Sequence, residues 1–155
     1  MPNQNVHYGK LMSNIDLLER LVSEASPEKP LPNEWVVTIY FYTALHVVEK
    51  KLHAEKNIHS KDHTDRFKHI SEHYSDILPT YQSMKNDSMT ARYKSRRITP
   101  EKVEETKENL YTICREFREA NIINRLNTAH GVGVIRQVPS PVSPPITDTD
   151  LSDAK

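Results

Sequence analysis

Residues 33–55 read NEWVVTIYFYTALHVVEKKLHAE, and this stretch decides the fold. Its apolar residues recur at three- and four-residue steps, which is the period of an α-helix and not that of a strand. Asn33 is a suitable N-cap, and Glu34 lies in the first turn, where a carboxylate interacts favourably with the helix dipole. The sequence therefore predicts a helix from Asn33 to about Glu55.

This predicted helix is apolar on two sides. The first stripe is hydrophobic throughout and consists of Val37, Phe41, Leu45, Val48 and Leu52. The second stripe is rich in rings that carry a polar atom and consists of Trp35, Ile39, Tyr42, His46 and His53. A helix of this kind lies at the centre of a bundle, or packs against the bundle on one side and a partner on the other. We therefore expect Trp35, Tyr42 and His46 to form a homodimer interface.

The sequence on either side predicts more helices. Apolar residues spaced at helical intervals over residues 8–22 indicate a first amphipathic helix, and the prolines of residues 25–32 indicate a loop after it. A third helix should start near Ser60 or Asp62 and end at Pro79, with a shorter fourth segment following it.

A capping hydroxyl and a proline mark the start of the last helix, at Thr99 and Pro100. We expect this helix to fray after Asn121, with Gly131 as its latest stop. The predicted fold class is all-α, a four- to five-helix up-and-down bundle over residues 1–130. Residues 131–155 are rich in proline and cannot bury enough apolar surface to offset the entropy of ordering, so a disordered C-terminal tail is expected there.

Composition argues against a β-rich fold and narrows the classes of partner. Only 3 of 155 residues are glycine, so tight hairpin turns would lack residues suited to positive φ. The 21 basic and 21 acidic side chains give zero formal net charge, so a nucleic-acid site would have to be local. No apolar run is long enough to span a membrane. One cysteine and no secretory leader favour a reducing compartment, and we expect a cytoplasmic protein without a membrane partner.

Four cations follow closely on one another in residues 92–97, and an aromatic ring lies among them. The run consists of Arg92, Tyr93, Lys94, Arg96 and Arg97. This composition is typical of sites where cations neutralise phosphate and a base stacks on a ring, so these residues are candidates for binding RNA or a nucleotide. The alternative is a solvated loop, in which Arg92 forms an ion pair with a carboxylate such as Glu49.

Eight histidines are many for a chain of this length. His59 and His63, and likewise His69 and His73, are four residues apart, a spacing at which two imidazoles can share a metal ion. No third ligand is placed clearly beside either pair, so we expect no metal site and no cofactor, and a metal-binding helical protein is kept as an alternative. No phosphate-binding loop, nucleophile elbow or zinc-protease motif is present.

A set of residues spread over most of the chain forms a recognisable pattern. It consists of Glu34-Trp35, residues 40–46, Glu49, His59, His63, Arg66, Tyr81 and Ser88-x-x-Ala91-Arg92-Tyr93. Over about residues 8–120 this pattern resembles the HEPN superfamily (higher eukaryotes and prokaryotes nucleotide-binding). The resemblance implies a small helical bundle, often dimeric, that binds RNA or nucleotides.

Many HEPN members are metal-independent ribonucleases of toxin–antitoxin and defence systems, with an arginine that is followed, after four to six intervening residues, by a histidine. Two pairs match that spacing here, Arg66 with His73 and Arg125 with His130. Positions seven apart return to nearly the same helix face, so the resemblance favours Arg66 and His73 as catalytic residues. His63 would then join the cations of residues 92–97 in holding RNA.

Phe67 and Leu126 stand where the active members usually place a polar residue. The resemblance therefore does not decide whether the chain is an enzyme. The competing hypothesis is a noncatalytic helical interaction module, in which the Trp35, Tyr42 and His46 face binds a partner protein. The resemblance also implies an antitoxin or a nucleotidyltransferase as a possible partner.

Overall fold

A computed structural model describes residues 4–134, and within them the side chains of residues 5–130. This range contains six α-helices and no strand, which confirms the predicted all-helical class. The helices are α1 (Gln4–Glu24), α2 (Asn33–Lys56), α3 (His63–His73), α4 (Leu78–Tyr93), α5 (Pro100–Glu116) and α6 (Ala120–Val134), with a 3₁₀ turn at Ser75–Ile77. From residue 135 onward the predicted tail lies outside the described residues. Within residues 4–134, no helix is both long and apolar enough to cross a membrane.

The central helix of the fold is α2, which contacts α1, α4 and α5, while α6 packs on α1 and α5. Its first predicted stripe is buried throughout. The second stripe is only partly covered, because Tyr42, His46 and His53 are half-buried and Trp35 is 63% exposed. Helices of the same chain therefore cover α2 on nearly all sides.

The start of α2 differs in detail from the prediction. Asn33 is the first helical residue and not the N-cap, because Pro32 occupies the cap position and has no side chain that could cap. The Asn33 amide instead donates to the carbonyl oxygen of Ile98 (3.0 Å), and Glu34 Oε1 accepts from the Ile98 N–H (3.3 Å). These polar side chains fasten α2 to the segment that precedes α5.

The prediction that Pro79 ends the third helix is wrong. Helix α3 starts after Asp62, whose carboxylate accepts from the Asp65 N–H (2.9 Å), and it already ends at His73. Pro79 lies in the first turn of α4, where a missing N–H costs no intrahelical hydrogen bond.

The predicted last helix is two helices. Thr99 caps α5 as expected, but the helix ends at Glu116, because Arg118 adopts a left-handed conformation with φ 57°. The Arg118 N–H donates to the Arg115 carbonyl (3.0 Å) and the Glu119 N–H to the Cys114 carbonyl (2.8 Å), the bonds of a Schellman motif. Helix α6 then extends to Val134, beyond the expected fraying after Asn121 and the expected stop at Gly131.

Candidate functional site

A buried ion pair joins α2 to α3. Glu49 is 1% exposed and Arg66 is 8% exposed, and Arg66 Nε donates to Glu49 Oε1 at 2.5 Å. Arg66 Nη1 also lies 3.2 Å from His63 Nδ1, which accepts, since arginine has no lone pair to offer. Charges so far from water are stable only when paired, so Glu49 and Arg66 fix the position of α3 on α2. Glu49 therefore pairs with Arg66 and not with Arg92.

Four imidazoles and one carboxylate lie close together here, and we call His7, His46, His53, His59 and Glu49 the His–Glu cluster. His7 Nδ1 and His46 Nδ1 are 3.2 Å apart, and the ring centroids of His7 and His59 are 5.5 Å apart. His59 stacks on His53 at 4.5 Å between centroids. Glu49 Oε2 accepts only a long hydrogen bond, from the Ser60 N–H at 3.3 Å.

Local structure explains how distant residues meet in this cluster. His46, Glu49 and His53 lie three, four and seven residues apart, on one face of α2. Asn57 ends α2 in a left-handed conformation with φ 54°, which turns the chain back so that His59 reaches His53.

Burial favours the uncharged form of two cluster imidazoles, His7 and His46. Loss of hydration lowers the pKa of His7, and it lowers the pKa of His46 to about 4, with His7 as the next contributor. Three ring nitrogens in the cluster are buried and have no hydrogen-bond partner among residues 4–134, namely His7 Nε2, His53 Nδ1 and His59 Nε2. Such nitrogens are uncommon, because buried polar groups are nearly always paired.

The predicted RNA-binding residues lie at the end of α4 and in the loop after it. Arg92 Nη1 donates to Tyr42 Oη (2.9 Å), and the guanidinium lies over the rings of Tyr42 and Tyr93, 5.4 and 5.0 Å from their centroids. Tyr93 is 70% exposed, and the three cations that follow it are exposed as well. We call Tyr93, Lys94, Arg96 and Arg97 the cation–aromatic surface.

A cavity of about 320 Å³ adjoins this surface. Arg96 and Arg97 line it together with Asp87, Thr90 and Lys102. Burial raises the pKa of Asp87, while Lys102, 3.8 Å away, opposes that rise. His63 is half-buried beside Arg66 and is not among the residues that line this cavity.

The two predicted catalytic residues have separate surroundings. Arg66 is buried in its ion pair, whereas His73 is exposed at the end of α3, where its ring lies 6.4 Å from that of His69. His73 lines a different cavity, of about 440 Å³, with Lys51 and Phe117. No contact between Arg66 and His73 is found in the described part of the chain.

The two residues of the second arginine–histidine pair, Arg125 and His130, also have separate surroundings. Arg125 binds Asp16 of α1 at 2.7 Å, whereas His130 lies between the hydroxyls of Tyr40 and Tyr111 at 2.9 and 3.0 Å. Both residues thus make contacts that join helices to one another.

The predicted dimer residues differ in accessibility. Trp35 is exposed and borders a small cavity with Ala91 and Arg92. Tyr42 is covered by Arg92 and His46 by His7, so these two residues already have partners within the chain.

Comparisons with known proteins give no relative for this chain. No family model, no curated protein and no solved structure matches it.

Proposed function

We propose that this chain is a HEPN-like protein that binds single-stranded RNA or a nucleotide through its cation–aromatic surface. One observation carries the proposal: Tyr93 is 70% exposed next to Lys94, Arg96 and Arg97, and none of these three cations has an ion-pair partner within residues 4–134. Unpaired cations attract phosphate, and an exposed ring offers a face on which a base can stack. Arg92 donates a hydrogen bond to Tyr42, and its guanidinium lies against the ring of Tyr93.

Salt dependence tests the electrostatic part of this proposal. The variant Lys94→Ala, Arg96→Ala, Arg97→Ala should bind a fluorescent single-stranded RNA at least tenfold more weakly in an anisotropy titration. The slope of log affinity against log salt should fall by about 2, since each lost phosphate contact removes about 0.7. The matched control is Lys56→Ala, Lys61→Ala, Lys68→Ala, which removes three exposed cations elsewhere. Equal losses in both variants would point to nonspecific attraction and contradict the proposal.

Stacking on Tyr93 has its own test. Tyr93→Ala should weaken RNA binding by about 5- to 150-fold, the range expected for the loss of one stacked base. Tyr93→Phe keeps the ring and should bind within about twofold of the wild type. Weakening of the phenylalanine variant to the level of the alanine variant would show that the hydroxyl, and not the ring, makes the contact.

Cleavage of RNA is a further step of the same proposal, with Arg66 and His73 as its candidate catalytic residues. The burial of Arg66 in an ion pair favours binding over cleavage. His73→Ala is the cleaner test, because His73 is exposed and its loss leaves no buried charge unpaired. If the chain degrades total RNA in EDTA while circular dichroism shows it folded, His73→Ala should abolish the degradation. Unchanged degradation would remove His73 from the mechanism.

The competing noncatalytic module rests on Trp35, which is 63% exposed. A homodimer through the Trp35, Tyr42 and His46 face would cover this ring. Light scattering at several concentrations should then give twice the chain mass, and Trp35→Ser should return the mass to that of one chain. A monomeric wild type would leave Trp35 as a contact for another protein.

A further inference from the structure

The His–Glu cluster contains more than the proposed RNA binding uses. His7, Glu49 and His59 come from α1, α2 and the loop after α2, and each offers one ligand atom within 4.8 Å of the other two. His7 and Glu49 are 8% and 1% exposed, and His59 is half-buried. Three donors from three parts of the chain thus converge on one small volume.

We infer that His7, Glu49 and His59 form a binding site for a divalent transition-metal ion, with zinc as the best chemical match. Two imidazoles and one carboxylate are a ligand set that Zn²⁺ takes in proteins, with water or another group in the fourth position. This inference does not rest on the proposed RNA binding.

The hydrogen bonds of the cluster leave one ring nitrogen of His7 and one of His59 available to bind a metal ion. In the His7–His46 contact one Nδ1 must donate and the other accept, and when His7 donates, its Nε2 carries a lone pair. His7 Nε2 and His59 Nε2 are both buried without a partner in the described residues.

The carboxylate is arranged in the same way. Arg66 occupies Oε1 of Glu49 at 2.5 Å, whereas Oε2 has only the long contact to the Ser60 N–H. Metal sites commonly orient a ligand through such an outer partner, as Arg66 and His46 would here. A tetrahedral zinc site has donor atoms about 3.4 Å apart. Side-chain rotations that move the donor atoms by about 1 Å would therefore bring the three ligands to that spacing.

A second histidine group supplies a matched control. His69, Glu72 and His73 on α3 also each offer a ligand atom within 4.8 Å of the other two, but Glu72 and His73 are exposed and His69 Nε2 is already 3.3 Å from Asp65. The variant His69→Ala, His73→Ala removes two imidazoles, one more than either single change in the His–Glu cluster.

Metal binding by the untagged full-length chain tests the inference. After removal of metals with a chelator, added Zn²⁺ should bind at one ion per chain and raise the melting temperature. Co²⁺ in its place should give the strong visible absorption of a tetrahedral site. His7→Gln and His59→Gln should each weaken Zn²⁺ binding at least tenfold and lose the Co²⁺ absorption, whereas His69→Ala, His73→Ala should retain both.

Three results would overturn the inference. They are a folded wild type that binds neither Zn²⁺ nor Co²⁺ at one ion per chain, binding unchanged in a folded His59→Gln variant, and binding lost in the His69→Ala, His73→Ala variant. The His59 change lies in a half-buried loop residue, so it remains informative if the change at the more deeply buried His7 disrupts folding. RNA binding is measured separately, so its loss or survival does not bear on this outcome.

Discussion

The side chains of Glu49 and Arg66 are only 2% and 9% exposed, so each depends on the other for its charge to be stable in the interior. Arg66→Met should lower the free energy of unfolding by about 3 kcal/mol or more, because it leaves the Glu49 carboxylate buried and unpaired. Urea denaturation measures this loss.

A double change and a surface pair serve as controls. The combination Glu49→Leu with Arg66→Met should cost less than the two single changes added together, since no lone charge remains. Lys107→Met, in the more exposed Lys107–Glu104 pair, should cost less than about 1 kcal/mol. Additive losses at Glu49 and Arg66 would mean that the buried pair is not coupled.

His130 makes the stability depend on pH. Tyr111 Oη donates to Asn127 Oδ1 (2.8 Å), so it accepts from His130 Nδ1–H, and Tyr40 Oη donates to His130 Nε2. The neutral ring with its proton on Nδ1 satisfies both of these hydrogen bonds. Burial, with Lys107 as a smaller contributor, lowers the pKa of His130 to about 4 from 6.5.

The direction of the pH dependence follows from the pKa of His130 in the unfolded chain and in the folded chain. Below pH 6.5 the unfolded chain binds a proton at His130 that the folded chain refuses until about pH 4, so stability is full above pH 6.5 and falls with pH in this window. Relative to His130→Gln, the wild type should lose about 1 kcal/mol between pH 7 and pH 5, a figure discounted for the partial exposure of the ring. Parallel stability curves for the two proteins would show that His130 does not titrate in this window.

At the scale of the elements, the boundary between α5 and α6 depends on one strained residue. Arg118 has φ 57°, a conformation that costs a side chain with a Cβ roughly 1 kcal/mol or more and costs glycine little. Arg118→Gly should therefore stabilise the chain by about 0.5–1 kcal/mol in thermal or urea unfolding. Arg115→Gly, inside α5, should destabilise it by about 1 kcal/mol. If both changes destabilise, the contacts of the Arg118 side chain outweigh its strain.

Local signals predicted the elements where the sequence carries the cap or the period itself. Thr99 with Pro100 marked the start of α5, and the apolar pattern of residues 33–55 marked α2. The break after Glu116 was missed because Arg118 stands at a position that usually belongs to glycine. Pro79 was misread because a proline at the start of one helix looks, in sequence, like the end of another.

At the scale of the whole molecule, Trp35 reports on assembly, because it is the one tryptophan in the sequence. In an isolated chain it is 63% exposed, so its emission should shift little on unfolding. Emission at shorter wavelength in the native protein, moving to longer wavelength on dilution, would indicate a second copy over this ring. Fluorescence measured across a dilution series decides between the two cases, and Trp35→Phe supplies the background.

One candidate site is made of residues adjacent in sequence, and the other is formed only by long-range packing. Residues 92–97 were recognisable because their charges are adjacent in sequence. The His–Glu cluster was not, because His7 and His46 are 39 residues apart and only the packing of α1 on α2 joins them. A partial signal existed, since His46, Glu49 and His53 share one face of a helix whose buried residues are mostly apolar.

Helix α2 is enclosed by its neighbours, whereas α3 buries only Arg66 and Ile70. Amide hydrogens in the middle of α2 should then exchange with deuterium only when the entire chain unfolds, and those of α3 should exchange through smaller openings. Each such opening would separate Arg66 from Glu49. Exchange rates along α3 therefore measure how often solvent gains entry to the interior carboxylate in the native protein.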